Sequence, residues 1–110
     1  MFRITNISIL DAFQIQCSFN TGETKLLDLK KSLDINNKYV KKLIKNDTYK
    51  NAKIGSFGEI YWEGIAEIKD LDGSIIPCEY DMSPEFVYQN STKINWQKHS
   101  LKDYELIPQS

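Results

Sequence analysis

Between Phe13 and Leu29 the chain reads FQIQCSFNTGETKLLDL. Phe13, Ile15, Cys17 and Phe19 alternate with Gln14, Gln16, Ser18 and Asn20. Successive side chains on a strand point to opposite faces, so this pattern makes one apolar face and one wet face. Asn20-Thr21-Gly22-Glu23 breaks the alternation with turn residues, and Gly22 takes a positive φ without steric cost. The run Thr24–Leu29 returns, placing Leu27 and Leu29 against the first strand. A lone hairpin is marginal in water, so the rest of the chain must cover its apolar face.

The other segments supply that cover. Ile4–Leu10 is rich in β-branched residues and reads as a strand, joined to the next by Asp11-Ala12. Lys30-Lys31-Ser32-Leu33 is a polar exit from the sheet. Asn36 or Asn37 caps a helix, because an Asn side chain accepts from the unpaired amides of a first turn. Val40, Leu43 and Ile44 follow at helical spacing, and Lys38, Lys41, Lys42 and Lys45 fall mostly on the opposite face. The helix should stop near Asn46, and Asp47-Thr48-Tyr49-Lys50 should make a turn anchored by Tyr49. Ala52–Ser56 and Glu59–Trp62 flank Phe57-Gly58 as a second hairpin. Ala66–Leu71 and Ser74–Tyr80 flank Asp72-Gly73, a strong two-residue turn signal. Pro77 in the returning run has no donor for a ladder, which puts that strand on an edge or at a bulge. Ser83-Pro84-Glu85 starts a short helix with a hydroxyl cap, proline at the first position and an acid in the first turn.

At 110 residues this is one domain, large enough to bury a core without metal or disulfide support. No apolar run approaches the ~20 residues that span a bilayer, and the opening MFRITNISIL reads as a strand, not a signal peptide. Cys17 and Cys78 lie in separate strands; as reduced, packed residues they indicate a cytoplasmic protein. The net charge of −1 hides a polarity. Residues 30–53 carry eight lysines against Asp34 and Asp47, a net of +6. Residues 54–91 carry Lys69 against eight acids, a net of −7. These blocks either face apart or neutralise each other across the fold.

The order of features resembles a known family. Phe19, Gly22 and Glu23 followed by Leu27-Asp28-Leu29, then Gly58-Glu59-Ile60-Tyr61-Trp62, then Asp81 through Tyr88, are similar to the motifs of the small bacterial domain of unknown function 2442. The resemblance spans about residues 3–91. It implies a compact α+β domain with a mostly antiparallel sheet and one covering helix, and it brings no activity. Some members are joined to a helix-turn-helix domain and others sit beside small toxin-like genes, which implies a regulatory, antitoxin-like or inhibitor-like role. The chain departs from the pattern in an extra hairpin over 66–80 and a tail after Ser91.

Little in the chain suits catalysis. His99 is the one histidine and sits in the tail. Cys17, Cys78 and His99 have no zinc-site spacing. Asp70-Leu71-Asp72-Gly73-Ser74 hints at a calcium loop but has Ser74 at position five and Asp81 at position twelve, where a loop needs a ligand and a closing Glu. Glu59, Glu63 and Glu67 match a solvated strand face, with nothing to raise a carboxyl for acid–base work. Gly55-Ser56-Phe57-Gly58 lacks the Lys-Ser/Thr of a phosphate loop.

The sequence therefore predicts an α+β fold: a mostly antiparallel set of five to seven strands, one main covering helix and a short C-terminal helix. Residues 1–91 form the domain, and 92–110 form an extension partly wrapped on it. The function expected is non-enzymatic protein binding, without cofactor, metal or membrane, a homodimer being one form of it. The candidate interaction residues are Lys38, Lys41, Lys42, Lys45, Tyr61, Tyr80 and Trp96, together with the sheet edge near Ile75–Tyr80. The alternative is a small nucleic-acid-associated regulator using the lysine face, although Arg3 is the sole arginine and the total charge is acidic.

Overall fold

The caps and turns divide the chain into short strands and shorter helices. The structure is a computed structural model, and it describes residues 1–94. In chain order it contains β1 (Ile4–Leu10), β2 (Gln14–Phe19), β3 (Thr24–Asp28), α1 (Leu29–Ser32) and α2 (Lys38–Ile44). A 3-10 segment (Lys45–Asn51) follows, then β4 (Lys53–Ile54), β5 (Ile60–Lys69), β6 (Ile75–Met82), α3 (Pro84–Asn90) and β7 (Thr92–Lys93). The fold is α+β and all strand pairs are antiparallel. The seven strands divide into two sheets, β1-β2-β3-β7 and β4-β5-β6.

The alternation of β2 does what its pattern requires. Ile15, Cys17 and Phe19 are buried, and Ile15 sits between Ile9 and Leu27 in register. Burial pushes the Cys17 thiol up to about 12, so it packs as an apolar group. Phe13 departs from the expected strand. It lies in the β1–β2 turn with Ala12, both at φ 61. Its ring is still half-buried, 5.1 Å from Tyr49, which holds a bulky residue in a conformation it rarely adopts. Leu29 also departs: the Asp28 carboxylate accepts from the amides of Lys30 and Lys31, so the chain turns into α1 one residue early. Asn37 caps α2 and Ser83 caps α3, with Pro84 in the first turn.

The expected strand Ala52–Ser56 shortens to Lys53–Ile54, because Gly55 to Glu59 closes the hairpin: Gly55 N–H donates to the Glu59 carbonyl at 2.8 Å. Glu59–Trp62 and Ala66–Leu71, read as separate strands, join as β5. A bulge between Trp62 and Ala66, with Gly64 at φ 71, absorbs the break between them. Thr92–Lys93, assigned to the extension, pairs with Lys25 and Leu26 at the edge of the first sheet. The remainder of the extension, with Trp96 and His99, lies outside the described residues.

The two sheets meet at a few specific contacts. Tyr49, buried as the anchor of the 3-10 segment, donates its hydroxyl to the Leu10 carbonyl at 2.6 Å. Its own carbonyl accepts from Trp62 Nε1 at 2.9 Å. At the other end Gly58 accepts from the Ile4 amide at 3.0 Å, and Arg3 Nη2 donates to the Ser56 carbonyl at 2.8 Å. A Cβ on Gly58 would stand 2.8 Å from the Arg3 Cα, and Gly58 has φ 77. Gly22 has φ 90 but open space around it. Gly58→Ala should therefore lower the urea-unfolding free energy by about 3 kcal/mol, against about 1 kcal/mol for Gly22→Ala, where only the left-handed penalty applies.

Candidate functional site

Most residues of the family motifs build the fold. Phe19, Glu23 and Tyr88 form one cluster with Phe2. The Phe2 ring stacks on Tyr88 at 3.9 Å, and Phe19 meets Tyr88 edge-on at 5.2 Å. The Tyr88 hydroxyl donates to Glu23 at 2.6 Å, and the Lys25 ammonium lies 3.8 Å above the Tyr88 ring. The Tyr88 bond, then the Thr21 hydroxyl, holds the Glu23 carboxyl below its ordinary value, and the same bond pushes the Tyr88 phenol up. Ile60 and Trp62 are buried, and Gly58 forms the inter-sheet contact. These motif positions join β2, β3 and α3, or one sheet to the other.

The lysine helix is only partly a free surface. Lys38, Lys41, Lys42 and Lys45 are all exposed. Lys42 Nζ, however, donates to the Ile65 carbonyl at 3.3 Å and lies 4.0 Å from Glu67. Ile65 belongs to the β5 bulge, where ladder pairing is interrupted, and Lys42 satisfies its carbonyl there. Lys53 pairs with Glu63 at 3.0 Å, so the basic and acidic blocks of the sequence do meet across the fold. Lys38 lies 5.1 Å over the Tyr39 ring.

Tyr61 and Tyr80 fall on opposite faces of the second sheet. Tyr61 is half-buried and opposite Asp81 in register; Tyr80 is opposite Trp62. The Tyr80 ring lies 6.1 Å from both Tyr39 and Trp62, and burial pushes its phenol up. It also lines an open groove of about 450 Å³ with Leu33, Asp34, Met82, Ser83 and Phe86. The structure thus brings Tyr80 to the foot of α2, while Lys41, Lys45 and Tyr61 are not gathered with it.

Beyond this groove β5 and β6 run on as a two-stranded arm. Residues 67–77 are exposed throughout, yet Ile68 keeps 57%, Ile75 61% and Ile76 45% of its surface, and Leu71 at the tip is fully exposed. Ile68 and Ile76 are direct cross-strand partners. Ile76, Cys78, Tyr80 and Met82 share one face of β6, so an apolar strip leaves the core and continues onto the arm. The expected edge near Ile75–Tyr80 includes Ile75 and Ile76 but neither Ile68 nor Leu71. The signal for exposure was Ile75-Ile76 itself: adjacent strand residues face opposite ways, and one core cannot cover both. Asp70 to Ser74 forms the expected turn, with Asp72 accepting from the Ser74 amide and hydroxyl at 2.9 and 2.6 Å.

Pro77 sits on the edge strand as predicted. Asp70 N–H donates to the Ser74 carbonyl at 2.8 Å, and hydrogen-bonded pairs alternate from there. Ile68–Ile76 and Ala66–Cys78 are therefore bonded pairs, and Glu67–Pro77 is not. The Pro77 nitrogen faces the free edge and removes a donor from it.

Among the described residues no three His, Cys, Asp or Glu side chains converge as metal ligands would. No described helix is long and apolar enough to cross a membrane. The molecule is thus a two-sheet antiparallel α+β domain whose distinctive surface is a ribbon projecting past its core. Residues 4–93 match the family model described as protein of unknown function (DUF2442), and the chain belongs to that family. No curated protein and no solved structure matches it.

The Glu23–Tyr88 bond has a pH signature. A carboxyl whose value is lowered by folding stabilises the fold above its unfolded range, near about pH 4.3, and that stabilisation is lost as pH falls through the lower folded value. Unfolding free energy followed by urea titration should fall less steeply on the acid side for Glu23→Gln than for the parent chain.

Proposed function

We propose that this domain acts by binding another protein through the β5–β6 arm and the groove at its foot, as a regulatory or inhibitor-like accessory without catalytic activity of its own. The observation that carries the reading is the exposed cross-strand pair of Ile68 and Ile76, with Leu71 at the tip, on a ribbon that reaches past the core; Ile75 is exposed on its other face. Monomeric proteins rarely leave such residues contiguous unless the patch serves an interaction. Two strands without a covering layer gain little from exposing four large aliphatic side chains, so folding alone gives no reason for them. Tyr80 supports the same surface: it is a partly buried aromatic at the junction of arm and groove, the type of side chain that anchors interfaces.

The blunted edge at Pro77 shifts the contact from an added strand to side chains. The lysine face of α2 supports nucleic-acid binding less well, because Lys42 is engaged with the β5 bulge. Free Cys17 and Cys78 support a reducing compartment, the cytoplasm.

The test is the double substitution Ile68→Ser, Ile76→Ser. Its unfolding free energy should stay within about 0.5 kcal/mol of the parent, as for exposed positions. A partner recovered by affinity capture with the parent chain from its native cells should be lost with this variant. Equal recovery by both chains would contradict the reading.

A further inference from the structure

Asp72-Gly73, at the tip of the arm, is a reactive pair as well as a turn. The chain has five glycines, and only Gly73 follows an aspartate or an asparagine. Both residues of the pair are exposed. The backbone nitrogen after an aspartate can attack that side chain's carboxyl carbon, and at Gly73 no Cβ stands in the way. Hydrogen bonds in the folded turn oppose the attack. Asp72 Oδ1 accepts from the Ser74 hydroxyl at 2.6 Å and from the Ser74 amide at 2.9 Å. These two bonds, the hydroxyl's first, favour the ionised carboxylate and hold it below its ordinary value. The acid can release its oxygen as water, whereas the anion has no such leaving group. The nucleophile is tied as well, because the Gly73 N–H donates to the Asp70 carbonyl at 3.0 Å.

We propose that Asp72 is a modification site, converted spontaneously to isoaspartate through a ring with the Gly73 nitrogen, at a rate set by the hydrogen bonds from Ser74. In the closing step the Gly73 nitrogen bonds to Asp72 Cγ. The nitrogen gives up its proton, and the carboxyl hydroxyl leaves with a proton as water. Water then opens the succinimide. Addition at Cγ restores aspartate. Addition at the main-chain carbonyl leaves Gly73 attached through Cγ, which is isoaspartate. The water lost in closing is regained in opening, and nothing is oxidised or reduced. The product routes the main chain through the Asp72 Cβ. The extra carbon falls inside the turn that the Asp70 N–H closes on the Ser74 carbonyl at 2.8 Å, so it loosens the end of the ribbon that carries Leu71. The step needs no partner, and it stands or falls apart from the binding role of the arm.

The experiment incubates the full chain at neutral pH in the warm and reads isoaspartate by electron-transfer mass spectrometry of the peptide that holds Asp72. Ser74→Ala should accumulate it about tenfold faster than the parent chain, the change expected for loss of one hydrogen bond to a charged group. Ser74→Thr keeps the hydroxyl and should stay at the parent rate. The parent chain unfolded in guanidinium should react at least as fast as folded Ser74→Ala. Asp72→Glu should give no isoaspartate in that peptide, because its longer side chain closes the ring poorly. Isoaspartate undiminished in Asp72→Glu would place the reaction at Asp70 and overturn the site, as would its absence from the unfolded parent. Equal rates for Ser74→Ala and the folded parent would overturn the control by Ser74. The NMR amide shifts of Ile68 and Ile76 should be unchanged in Ser74→Ala. Faster reaction with those shifts lost would trace the gain to an unfolded arm and equally overturn the role of the Ser74 bonds.

Discussion

Tyr49 is the residue through which the two sheets become one fold. Its hydroxyl closes on the Leu10 carbonyl of the first sheet, and its carbonyl takes the Trp62 indole of the second. Both groups are buried or nearly so, and leaving either acceptor unpaired costs on the order of 1–3 kcal/mol. The core then fills around this bridge: Ile15, Leu27 and Leu29 from one side, Ile60 and Trp62 from the other, with Leu43 of α2 between. Gly58 against Arg3 and Ile4 fastens the opposite end. With both ends fastened, the two small sheets share one core.

That arrangement separates the residues that hold the fold from those that meet the outside. The family motifs fall almost wholly in the first group. Phe19, Glu23 and Tyr88 pin α3 to the β2–β3 hairpin, and Gly58, Ile60 and Trp62 sit at the sheet junction. The β5–β6 arm lies past the bulge at Gly64 and contributes no residue beyond Ile65 on β5 to the buried set. Its isoleucines and acids therefore take no part in the buried core.

Much of this architecture can be read from residue patterns because it is local. Alternation placed Ile15, Cys17 and Phe19 inward, Asn37 and Ser83 started helices, and Asp72-Gly73 made the arm's turn. The departures have non-local causes. Alternation carries no information on φ, so Phe13 looked like a strand residue while the hairpin needed it in the turn. The split into two sheets depends on Gly58 meeting Arg3 across more than fifty residues, which no spacing reveals. Lys42 looked like surface charge because the carbonyl it serves belongs to a bulge on another element. Ile75 and Ile76 were legible only as part of a sheet edge, and Ile68 not at all, because strand patterning tells which face is apolar and not where the cover ends.

Residue-resolved amide hydrogen exchange tests the division of labour most directly. The account predicts that the core amides of Ile15, Cys17 and Trp62 exchange only through global unfolding, at about 5–15 kcal/mol. The ladder amides of Ile68 and Ile76 should open locally at roughly 0–3 kcal/mol while the core stays closed. Arm amides protected as strongly as that of Trp62 would mean that the ribbon belongs to the cooperative core, and would contradict the account.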